Sequence, residues 1–519
     1  MTADIISGDR RLSQAERITR SARAATALSE LGVGLDDCVA MMLRNDFPFF
    51  ECAAACALLG AYATPVNWHY TPEEAGYILR DCDARVLVVH ADLLPAIASA
   101  LPPTLTVLIA ATPPEIAHAY GRADTPSPAT LIGTLDHPGR LLAWEDALAQ
   151  AAPWQAPPPD ARGSMIYTSG TTGHPKGVRR APMDAEAQAR NALRVHEGFG
   201  IPPDCTGVVA LMNGPMYHSA PNAYGLAAAR NGATVVLEAR FDPEELLAMV
   251  EQHRVTNMHM VPTMFVRLLR LPEEVRSRYD LSSLRHVIHG AAPCPPEVKR
   301  KMIEWWGPVI HEYYGSTENG IVTVADSAAA IERPGTVGLP LTGLSISIRD
   351  AQGERVGPGE IGEIYVHHAV RTDFTYHKRH QARVEMEFDG GLTNGDMGWL
   401  DADGFLFLAD RRNDMVISGG VNIYPAEIEK VLIAHPQVID CAVFGIPNEE
   451  FGESLIAHIE VREPHPEPAE LRQYLARHLA AFKIPRQFVF EQRLPREDSG
   501  KIFKRKLREP YWAGRDRKI

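Results

Sequence analysis

Residues 165–180 have the sequence MIYTSGTTGHPKGVRR, in which a short apolar run leads into glycines, Ser/Thr hydroxyls and a single lysine, Lys176. Glycines let successive backbone N–H groups turn toward one point, hydroxyls add hydrogen-bond donors, and lysine adds positive charge. This combination predicts a loop that holds a polyphosphate. The apolar lead-in and the Pro-Lys-Gly ending argue against a flexible Gly/Ser/Thr linker.

The loop differs from the two common nucleotide-binding loops. In the Walker pattern G-x-x-x-x-G-K-[ST], counting from Gly170 puts Pro175 where the second glycine belongs and Gly177 where the magnesium-binding hydroxyl belongs. Near the N-terminus no G-x-G-x-x-G opens a helix, so the dinucleotide-binding fingerprint is also absent from the sequence. We therefore expect a phosphate loop of another kind.

Composition limits the class of protein. At 519 residues the chain is too long for one hydrophobic core, and its formal net charge of −13 disfavours nucleic acid and anionic membranes as general partners. Seven scattered cysteines without a C-x-x-C pair predict reduced, buried thiols and a cytoplasmic location. The N-terminus lacks the apolar core of a signal peptide, and no apolar stretch reaches the ~20 residues of a membrane span. We expect no membrane span.

Strands and helices alternate through most of the chain. Runs such as ARVLVVHA, ATVVLEA and RHVIHGAAP, separated by helical segments, predict an α/β fold with largely parallel sheets. The Pro/Ala/Thr-rich segment 102–160 is expected to be surface connection. After residue 340, alternating strands and tight turns predict a small antiparallel β unit. The predicted domains are residues 1–412 and a small α+β domain over residues 413–519.

The residues from Thr168 to Gly177 match [ST]-S-G-[ST]-T-G-x-P-K-G, and five further motifs follow in order along the chain. They are HGAAPCP (289–295), YYGSTE (313–318), TNGDMGWLD (393–401), DRRNDMVISGGVNIYPAEIE (410–429) and LPREDSGKIFKRKL (494–507). In these motifs the chain resembles the adenylate-forming superfamily, in particular its acyl-CoA synthetases and aryl-CoA ligases. The resemblance covers nearly the whole chain.

The resemblance implies two half-reactions that use ATP, Mg²⁺ and coenzyme A. A carboxylate attacks the α-phosphate of ATP to give an acyl-AMP and pyrophosphate, and the CoA thiol then attacks the activated carbonyl and expels AMP. Lys176 and the loop would hold the departing pyrophosphate, because preorganised donors stabilise developing negative charge. Glu318 would be the magnesium ligand, since this hard cation prefers carboxylate oxygen.

Within the ATP site, the resemblance implies an adenine-stacking role for Tyr314, a phosphate contact for Thr317 and a ribose contact for Asp396. Arg411 would contact ribose or phosphate. The residues implied to bind ATP or CoA are Thr168, Ser169, Gly170, Thr171, Thr172, Gly173, Lys176, Gly290, Ala291, Ala292, Tyr314, Gly315, Thr317, Asp396, Arg411, Gly419, Gly420 and Lys501.

The C-terminal domain is implied to be mobile. Lys501 would act in the first half-reaction by neutralising the carboxylate and the α-phosphate, which otherwise repel each other. Rotation of the domain would then bring Gly419 and Gly420 to the pantetheine tunnel, where glycine permits close backbone approach. The hinge position, usually Asp or Lys in the family, is Asn413 here, and Asn tolerates unusual backbone angles.

The acyl pocket is expected to involve His218, Ala220, Tyr224 and Tyr313. The segment MVPTMFVRLL adds Met, Val and Phe, a composition that favours a medium or long acyl chain, or a bulky cyclic or aryl carboxylate, over acetate. Methionines at helical spacing are also typical of ordinary core.

Two other functions compete with a CoA ligase. The first is an adenylation enzyme that loads a carrier protein, although GGVNIYPAEIE is more similar to CoA ligases and no carrier domain follows on this chain. The second is a non-catalytic homologue, which should have lost Lys176, Glu318 or Lys501, whereas all three are present. The oligomeric state, a homodimer included, is open at this point.

Overall fold

The computed structural model describes residues 3–122, 124–168, 175–369, 373–412, 414–418, 421–496 and 502–513, without the side chains of Arg411, Asn422 and Arg505. Several residues singled out from the sequence lie outside this description. They are Ser169, Gly170, Thr171, Thr172, Gly173, Asn413, Gly419, Gly420 and Lys501, and for Arg411 only the backbone is described.

The first part of the chain forms a parallel sheet flanked by helices, with strand order β4-β3-β5-β6-β7. Its central residues Val86–Val89 are fully buried, as expected for a strand covered on both faces. The strands of this sheet are β3 (Cys38–Met42), β4 (Tyr62–Pro65), β5 (Ala84–His90), β6 (Thr106–Ala110) and β7 (Leu141–Ala143). The two strands before them, β1 (Ile5–Ser7) and β2 (Arg10–Leu12), belong to the second sheet. The helices are α1 (Gln14–Glu30), α2 (Phe47–Leu59), α3 (Pro72–Asp81), α4 (Leu94–Ile97), α5 (Pro114–Ala119), α6 (Pro128–Thr134) and α7 (Trp144–Gln150).

The expectation that 102–160 is only surface connection is wrong. This segment contributes β6 and β7 to the sheet, together with α5, α6 and α7. Strand β6 pairs with β5, and its residues Val107, Leu108 and Ile109 are fully buried. Pro114 and Pro128 lie in the first turn of α5 and α6, where the missing N–H costs nothing.

The middle of the chain forms a second, larger sheet. Its parallel part has the order β1-β11-β10-β12-β13-β14. The strands of this part of the chain are β8 (Ile166–Thr168) and β9 (Lys176–Arg180), which belong to a separate sheet, and β10 (Val209–Met212), β11 (Thr234–Leu237), β12 (Asn257–Met260), β13 (His286–His289), β14 (Ile310–Ser316) and β15 (Gly320–Ala325). The helices are α8 (Ala185–Phe199), α9 (Ser219–Arg230), α10 (Pro243–His253), α11 (Pro262–Leu269), α12 (Glu273–Arg276), α13 (Pro296–Trp306) and α14 (Ser327–Glu332).

This sheet continues through antiparallel pairs, in the order β14-β15-β16-β23-β22-β18, into the predicted antiparallel unit. The elements are β16 (Thr336–Pro340), β17 (Leu344–Arg349), β18 (Gly362–His368), β19 (Phe374–Tyr376), β20 (Glu387–Phe388), β21 (Gly391–Leu392), β22 (Asp396–Leu400), β23 (Leu406–Arg411) and α15 (His380–Val384). Strand β19 leaves this sheet and joins β8 and β9 in a separate antiparallel sheet.

The last part of the chain has its own sheet, of order β25-β24-β27-β26 with β28 beside β27, and its own hydrophobic core. The elements are β24 (Val416–Ser418), β25 (Val421–Ile423), β26 (Val438–Asn448), β27 (Gly452–Val461), β28 (Gln487–Glu491), α16 (Pro425–Ile433), α17 (Pro468–Ala476) and α18 (Lys504–Trp512). The α/β class, with a large first domain and a small last one, is confirmed.

Helix α18 is held by ion pairs. Lys504 Nζ lies 2.7 Å from Glu429 Oε1. Burial alone would lower the pKa of Lys504, but the charges of Glu429, Asp410 and Asp414 outweigh burial and raise it. All seven cysteines are buried and unpaired. In the parts of the chain that the structure describes, no helix is both long enough and apolar enough to span a bilayer.

Candidate active site

A cavity of about 1200 Å³ lies at the carboxyl ends of β10, β12, β13 and β14. Parallel strands deliver their following loops to this one edge, where α/β proteins bind ligands. The residues predicted from the sequence that line the cavity are Thr168, Lys176, His218, Ala220, Ala291, Ala292, Tyr313, Gly315, Thr317, Glu318 and Asp396. The structure therefore brings together side chains from distant parts of the chain.

The two ends of the phosphate loop meet in a hairpin. Thr168 on β8 faces Lys176 on β9, and the Thr168 hydroxyl lies 3.4 Å from the Lys176 carbonyl oxygen. Gly177 is required by the neighbouring strand, because a Cβ there would lie 2.9 Å from the ring of Tyr167. The Tyr167 hydroxyl donates to Asp81 at 2.7 Å, which fixes the ring in this position.

The end of the loop is also anchored by residues that the sequence did not reveal. The Pro175 carbonyl oxygen lies 3.2 Å from the Tyr77 hydroxyl and 3.3 Å from Arg379 Nη1. Arg379 and Tyr77 also contact each other, and Tyr77 lies beside Asp81. Helix α3, through Tyr77, and the segment after β19, through Arg379, thus hold the backbone immediately before Lys176.

Tyr376 connects the predicted phosphate-binding lysine to the predicted metal ligand. Because β19 pairs with β9, Tyr376 lies opposite Val178, and its ring centre is 5.1 Å from the Lys176 ammonium. Its hydroxyl donates to Glu318 Oε1 at 2.8 Å. Burial, followed by the charge of Glu318, raises the pKa of Tyr376, so the phenol stays protonated and remains a donor.

Arg180 holds the backbone that carries Thr317 and Glu318. Its guanidinium donates to the carbonyl oxygens of both residues, the second at 3.3 Å. Burial lowers the pKa of Arg180, and the nearby Glu318 carboxylate opposes this shift. Arg180 lies in the same strand as Lys176, so β9 determines the positions of both the lysine and the glutamate loop.

On the other side of the cavity, two predicted nucleotide contacts bind each other. The Tyr314 hydroxyl donates to Asp396 Oδ2 at 2.7 Å, linking the end of β14 to the start of β22. Tyr314 itself packs with the core of the antiparallel unit and is not part of the cavity lining. Its adenine-stacking role remains a prediction, whereas its contact with the Asp396 carboxylate is observed.

Gly290 and the residues after it shape a further wall. A Cβ on Gly290 would lie 2.5 Å from the Tyr313 ring, so only glycine allows the two strands this approach. The next residue, Ala291, has a left-handed backbone with φ of 67°, and both Ala291 and Ala292 line the cavity. Gly290 thus lies behind the wall and supports it.

The apolar side of the cavity has a polar contact at its base. His259 Nε2 and the Tyr313 hydroxyl are 3.0 Å apart. Burial lowers the pKa of His259 to about 4, so the imidazole is neutral at physiological pH. Phe199 contacts both rings edge-on, with centroid distances of 5.9 Å to His259 and 5.6 Å to Tyr313. His259 was not predicted, because a histidine in a buried strand has no distinguishing sequence pattern.

His218 lies at the N-cap of α9, beside this pocket. Its ring centre is 4.4 Å from that of Tyr217, which packs edge-on against Trp68. Tyr224, expected in the lining, instead lies in the core with no exposed surface. Its ring packs edge-on against Phe199, with the ring centres 5.9 Å apart, and lies 6.1 Å from the ring centre of His259.

The donor set fits a nucleotide-bound magnesium ion and not a protein-only metal site. Among the described residues there is no group of three or more His, Cys, Asp or Glu that could hold a metal. Magnesium in nucleotide sites takes one or two carboxylates, and phosphates and water supply the rest. Glu318 next to the Thr317 and Lys176 side of the cavity satisfies that requirement.

Comparison with known proteins identifies the family of this chain. Residues 2–371 match the AMP-binding enzyme family, and residues 427–501 match the AMP-binding enzyme C-terminal domain. The chain belongs to the AMP-binding enzyme family, and its relatives are adenylate-forming enzymes of the acyl-CoA synthetase type.

Three relatives show the range of this similarity. The chain is 33% identical to a feruloyl-CoA synthase of Amycolatopsis sp, over 97% of this chain and 95% of the relative. It is 30% identical to a fatty acid–[acyl-carrier-protein] ligase of Streptomyces coeruleorubidus, over 100% and 95%. The o-succinylbenzoate CoA synthetase of Bacillus subtilis, solved with its acyl-adenylate intermediate, matches with a TM-score of 0.77 and 28% identity, over 99% of this chain and 96% of that one.

Proposed function

We propose that this chain is an AMP-forming acid–CoA ligase. In the first half-reaction, a carboxylate oxygen of the acid forms a bond to the α-phosphorus of ATP, and the bond to the β-phosphate oxygen breaks and releases pyrophosphate. In the second, the CoA sulfur forms a bond to the acyl carbonyl carbon, AMP leaves, and the thiol proton is lost to solvent. The products are acyl-CoA, AMP and pyrophosphate.

The observation that carries this proposal is the Lys176–Tyr376–Glu318 contact series in one cavity with Asp396. A cation and a carboxylate held by one tyrosine provide separate positions for phosphate oxygens and for a phosphate-bound cation. The apolar lining beyond Tyr313 provides space for an acyl group. Family membership supports the assignment of these roles.

In the first half-reaction, Lys176 and the preceding loop would stabilise the charge that builds up on pyrophosphate as it leaves. Glu318 would hold Mg²⁺, which neutralises phosphate charge when bound, and Thr317 would contact a phosphate. Asp396, oriented by Tyr314, would accept hydrogen bonds from the ribose hydroxyls. Arg180 contributes indirectly, because it fixes the carbonyl groups of Thr317 and Glu318.

The C-terminal domain would supply the remaining groups. We assign Lys501 to the first half-reaction, where its ammonium would lie between the acid carboxylate and the α-phosphate. Gly419 and Gly420 would face the pantetheine arm of CoA in the second, after rotation about Asn413. These roles rest on the sequence motifs.

The acid is proposed to be a medium or long acyl chain, or a bulky cyclic or aryl carboxylate. Met260, Val261 and Met264 line the cavity near the His259–Tyr313 pair. The cavity of about 1200 Å³ includes this apolar side as well as the nucleotide side. The feruloyl-CoA and succinylbenzoate relatives support an acid of this size.

A pyrophosphate-release screen over fatty, aryl and steroid-like acids, with ATP and Mg²⁺, tests the proposal. We expect release with at least one acid and its loss by about a hundredfold or more in Glu318→Gln, as for other groups that stabilise transition-state charge. Glu360→Gln, at an exposed glutamate outside the cavity, is the matched control. A folded enzyme that releases no pyrophosphate with any acid would contradict the proposal and favour a non-catalytic homologue.

The acyl acceptor is tested separately. The carrier-protein ligase relative makes a holo acyl carrier protein the specific competitor of CoA. We expect thioester formation from the purified acyl-AMP with free CoA and not with a holo carrier protein. If thioester forms only on the carrier protein, the carrier protein and not CoA is the acyl acceptor of the second half-reaction. The proposal for the first half-reaction is then unaffected.

A further inference from the structure

The cavity extends beyond the nucleotide site along helix α9. This helix begins at the carboxyl edge of the sheet, after β10, and is followed by β11, so it runs back to the opposite edge. From Ser219 to Arg230 it covers about 16 Å at about 1.5 Å per residue. Ala220, Ala223, Ala227 and Arg230 line the cavity along this length.

Two other helices each contribute one face to this part of the cavity along α9, which we call the arm. Helix α2 contributes Ala53, Ala54 and Ala57, and helix α1 contributes Arg17 and Ser21. The spacing of three and four residues places each set on one side of its helix. The arm therefore has small apolar walls from α2 and α9, and hydrogen-bonding groups at its far end from α1 and from the end of α9.

The two guanidinium groups at the far end have no carboxylate partner in the described parts of the chain. Arg17 Nη2 donates to the Ala229 carbonyl oxygen at 2.9 Å, and its buried Nε has no hydrogen-bond partner. The Arg230 side chain makes no ion pair among those residues. Burial lowers the pKa of Arg17, and no acidic group opposes the shift.

A neighbouring arginine shows the contrast. Arg20, one turn further along α1, is held between two carboxylates, with Glu51 at 2.5 Å and Glu145 at 2.7 Å. The fold thus neutralises Arg20 and leaves Arg17 and Arg230 without a counter-charge. The chain carries a net charge of −13, but this end of the cavity carries two positive charges without a carboxylate partner.

Ser21 adds an independent observation. Its side chain lines the same arm, is only 4% exposed, and its hydroxyl oxygen has no hydrogen-bond partner. Buried hydroxyl groups are normally satisfied, so an unpaired one beside a cavity indicates a polar group of a ligand. Ser21 lies one helical turn after Arg17, on the same face.

We propose that the far end of this arm binds a second carboxylate of the acid substrate, so that the enzyme prefers long α,ω-dicarboxylic acids over monocarboxylic acids of equal length. Arg230, Arg17 and Ser21 would donate hydrogen bonds to that carboxylate, while the alanines of α2 and α9 cover the methylene chain. The proposal rests on the proposed acid-activating function and specifies its substrate class.

The test is a pyrophosphate-release comparison of dicarboxylic and monocarboxylic acids of matched length, from hexanedioate to hexadecanedioate. We expect the ratio of kcat/KM for diacid over monoacid to rise with length, once the second carboxylate reaches the arginines. Arg230→Met should lower that ratio roughly fivefold for long acids, as a partly exposed charge-assisted contact allows, and leave short monoacids unchanged. Arg278→Met, at an exposed arginine outside the cavity, should change neither.

Charge reversal gives a second, independent measurement. Arg230→Glu should reduce activity with long diacids and raise it with ω-amino acids of the same length, since the new carboxylate pairs with an ammonium group.

Three results would overturn the inference. If monoacids react and the ratio depends neither on length nor on Arg230, the dicarboxylate site is refuted while the ligase function stands. If Arg230→Met instead weakens binding to phosphatidylglycerol vesicles and leaves the ratio unchanged, the arginines serve a membrane surface and not the substrate. If no acid releases pyrophosphate, the proposed function itself fails and the inference fails with it.

Discussion

Tyr376 holds two oppositely charged side chains, with Lys176 against its ring and Glu318 at its hydroxyl. The sequence motifs indicate the lysine and the glutamate, because each belongs to a recognisable pattern. Tyr376 belongs to none and approaches them only because β19 pairs with β9. A positioning residue of this kind cannot be predicted without the strand pairing.

Replacing Tyr376 by Phe keeps the ring under Lys176 and removes the hydrogen bond to Glu318. We expect kcat/KM for pyrophosphate release to fall about tenfold, the effect of one lost charge-assisted hydrogen bond of roughly 1.5 kcal/mol or more. The Mg²⁺ concentration for half-maximal rate should rise as well, since the carboxylate is no longer oriented. Initial rates over a magnesium titration measure both effects.

Tyr279→Phe is the matched control for that variant. The Tyr279 hydroxyl also donates to a glutamate, Glu244, at 3.0 Å, but on the outer surface. The Tyr279→Phe variant should leave both the rate of pyrophosphate release and its magnesium dependence unchanged. Equal losses in the two variants would show that Tyr376 acts only through general stability.

The buried His259 gives a pH dependence of stability. Burial lowers its pKa from 6.5 to about 4. Between these values the unfolded chain takes up a proton that the folded protein excludes, so the free energy of unfolding decreases as the pH falls from 6.5 to about 4. Below this pH range both the folded and the unfolded chain bind the proton, so His259 makes no further contribution to the pH dependence of the free energy of unfolding.

In His259→Gln, this contribution to the pH dependence of the free energy of unfolding should disappear. His286, whose pKa is lowered to about 3, retains a contribution of the same sign. Denaturant unfolding at several pH values between 4 and 6.5 measures the slope. His465→Gln, at an exposed histidine, is the control and should leave the slope unchanged. A slope unaltered by His259→Gln would mean that the imidazole is accessible to protons.

At the level of elements, the small sheet β8-β9-β19 determines the geometry of the phosphate loop. Its central strand carries Lys176 and Arg180, and its edges carry Thr168 and Tyr376. The sequence indicates the loop itself but not this sheet, because strands of three residues give too short a pattern to be recognised. The three-residue strand β7 in the proline-rich segment 102–160 was missed for the same reason.

Gly177→Ala tests the packing inside this sheet. The added methyl would lie 2.9 Å from the Tyr167 ring, so we expect a loss of about 1–3 kcal/mol in the free energy of unfolding. Activity should fall too, because Lys176 is the preceding residue. Chemical denaturation and initial rates provide the two readouts.

A double-mutant cycle identifies the cause of the destabilisation. With Tyr167→Ala in the background, the ring is gone and Gly177→Ala should cost clearly less than it does alone. Strictly additive losses would show that the strain comes from the backbone and not from the Tyr167 ring.

At the level of the whole molecule, polar contacts join the last domain to the rest in the described part of the chain. Arg270 Nη2 donates to the Ile439 carbonyl oxygen at 2.9 Å, and the Ala426 N–H donates to Asp410 at 2.9 Å. The two parts have separate hydrophobic cores, and the boundary after residue 412 stays a prediction from the change in sequence pattern. The position of the hinge at Asn413 remains a prediction.

If the last domain contributes Lys501 only to the first half-reaction, Lys501→Ala should separate the two steps. We expect acyl-AMP formation to be lost by about a hundredfold or more, because two anions then meet without a neutralising charge. Thioester formation from supplied acyl-AMP should remain within about a factor of three. Single-turnover assays of each step with purified acyl-AMP make the comparison.

Lys506→Ala, in the same basic segment and exposed, is the control and should leave both steps unchanged. Equal losses of both steps in a folded Lys501→Ala variant would contradict the alternation of domains. Loss in Lys506→Ala as well would indicate a general requirement for positive charge in the tail.

The arm along α9 also has a kinetic consequence. Exposed Gln14 and Arg230 line its far end, so the cavity reaches solvent at the side opposite Glu318 and Lys176. In the proposed ligase, an acid that entered at this end would not have to pass the nucleotide side of the cavity. Access alone would then impose no compulsory order of addition, and the enzyme with ATP bound could still exchange one acid for another before reaction.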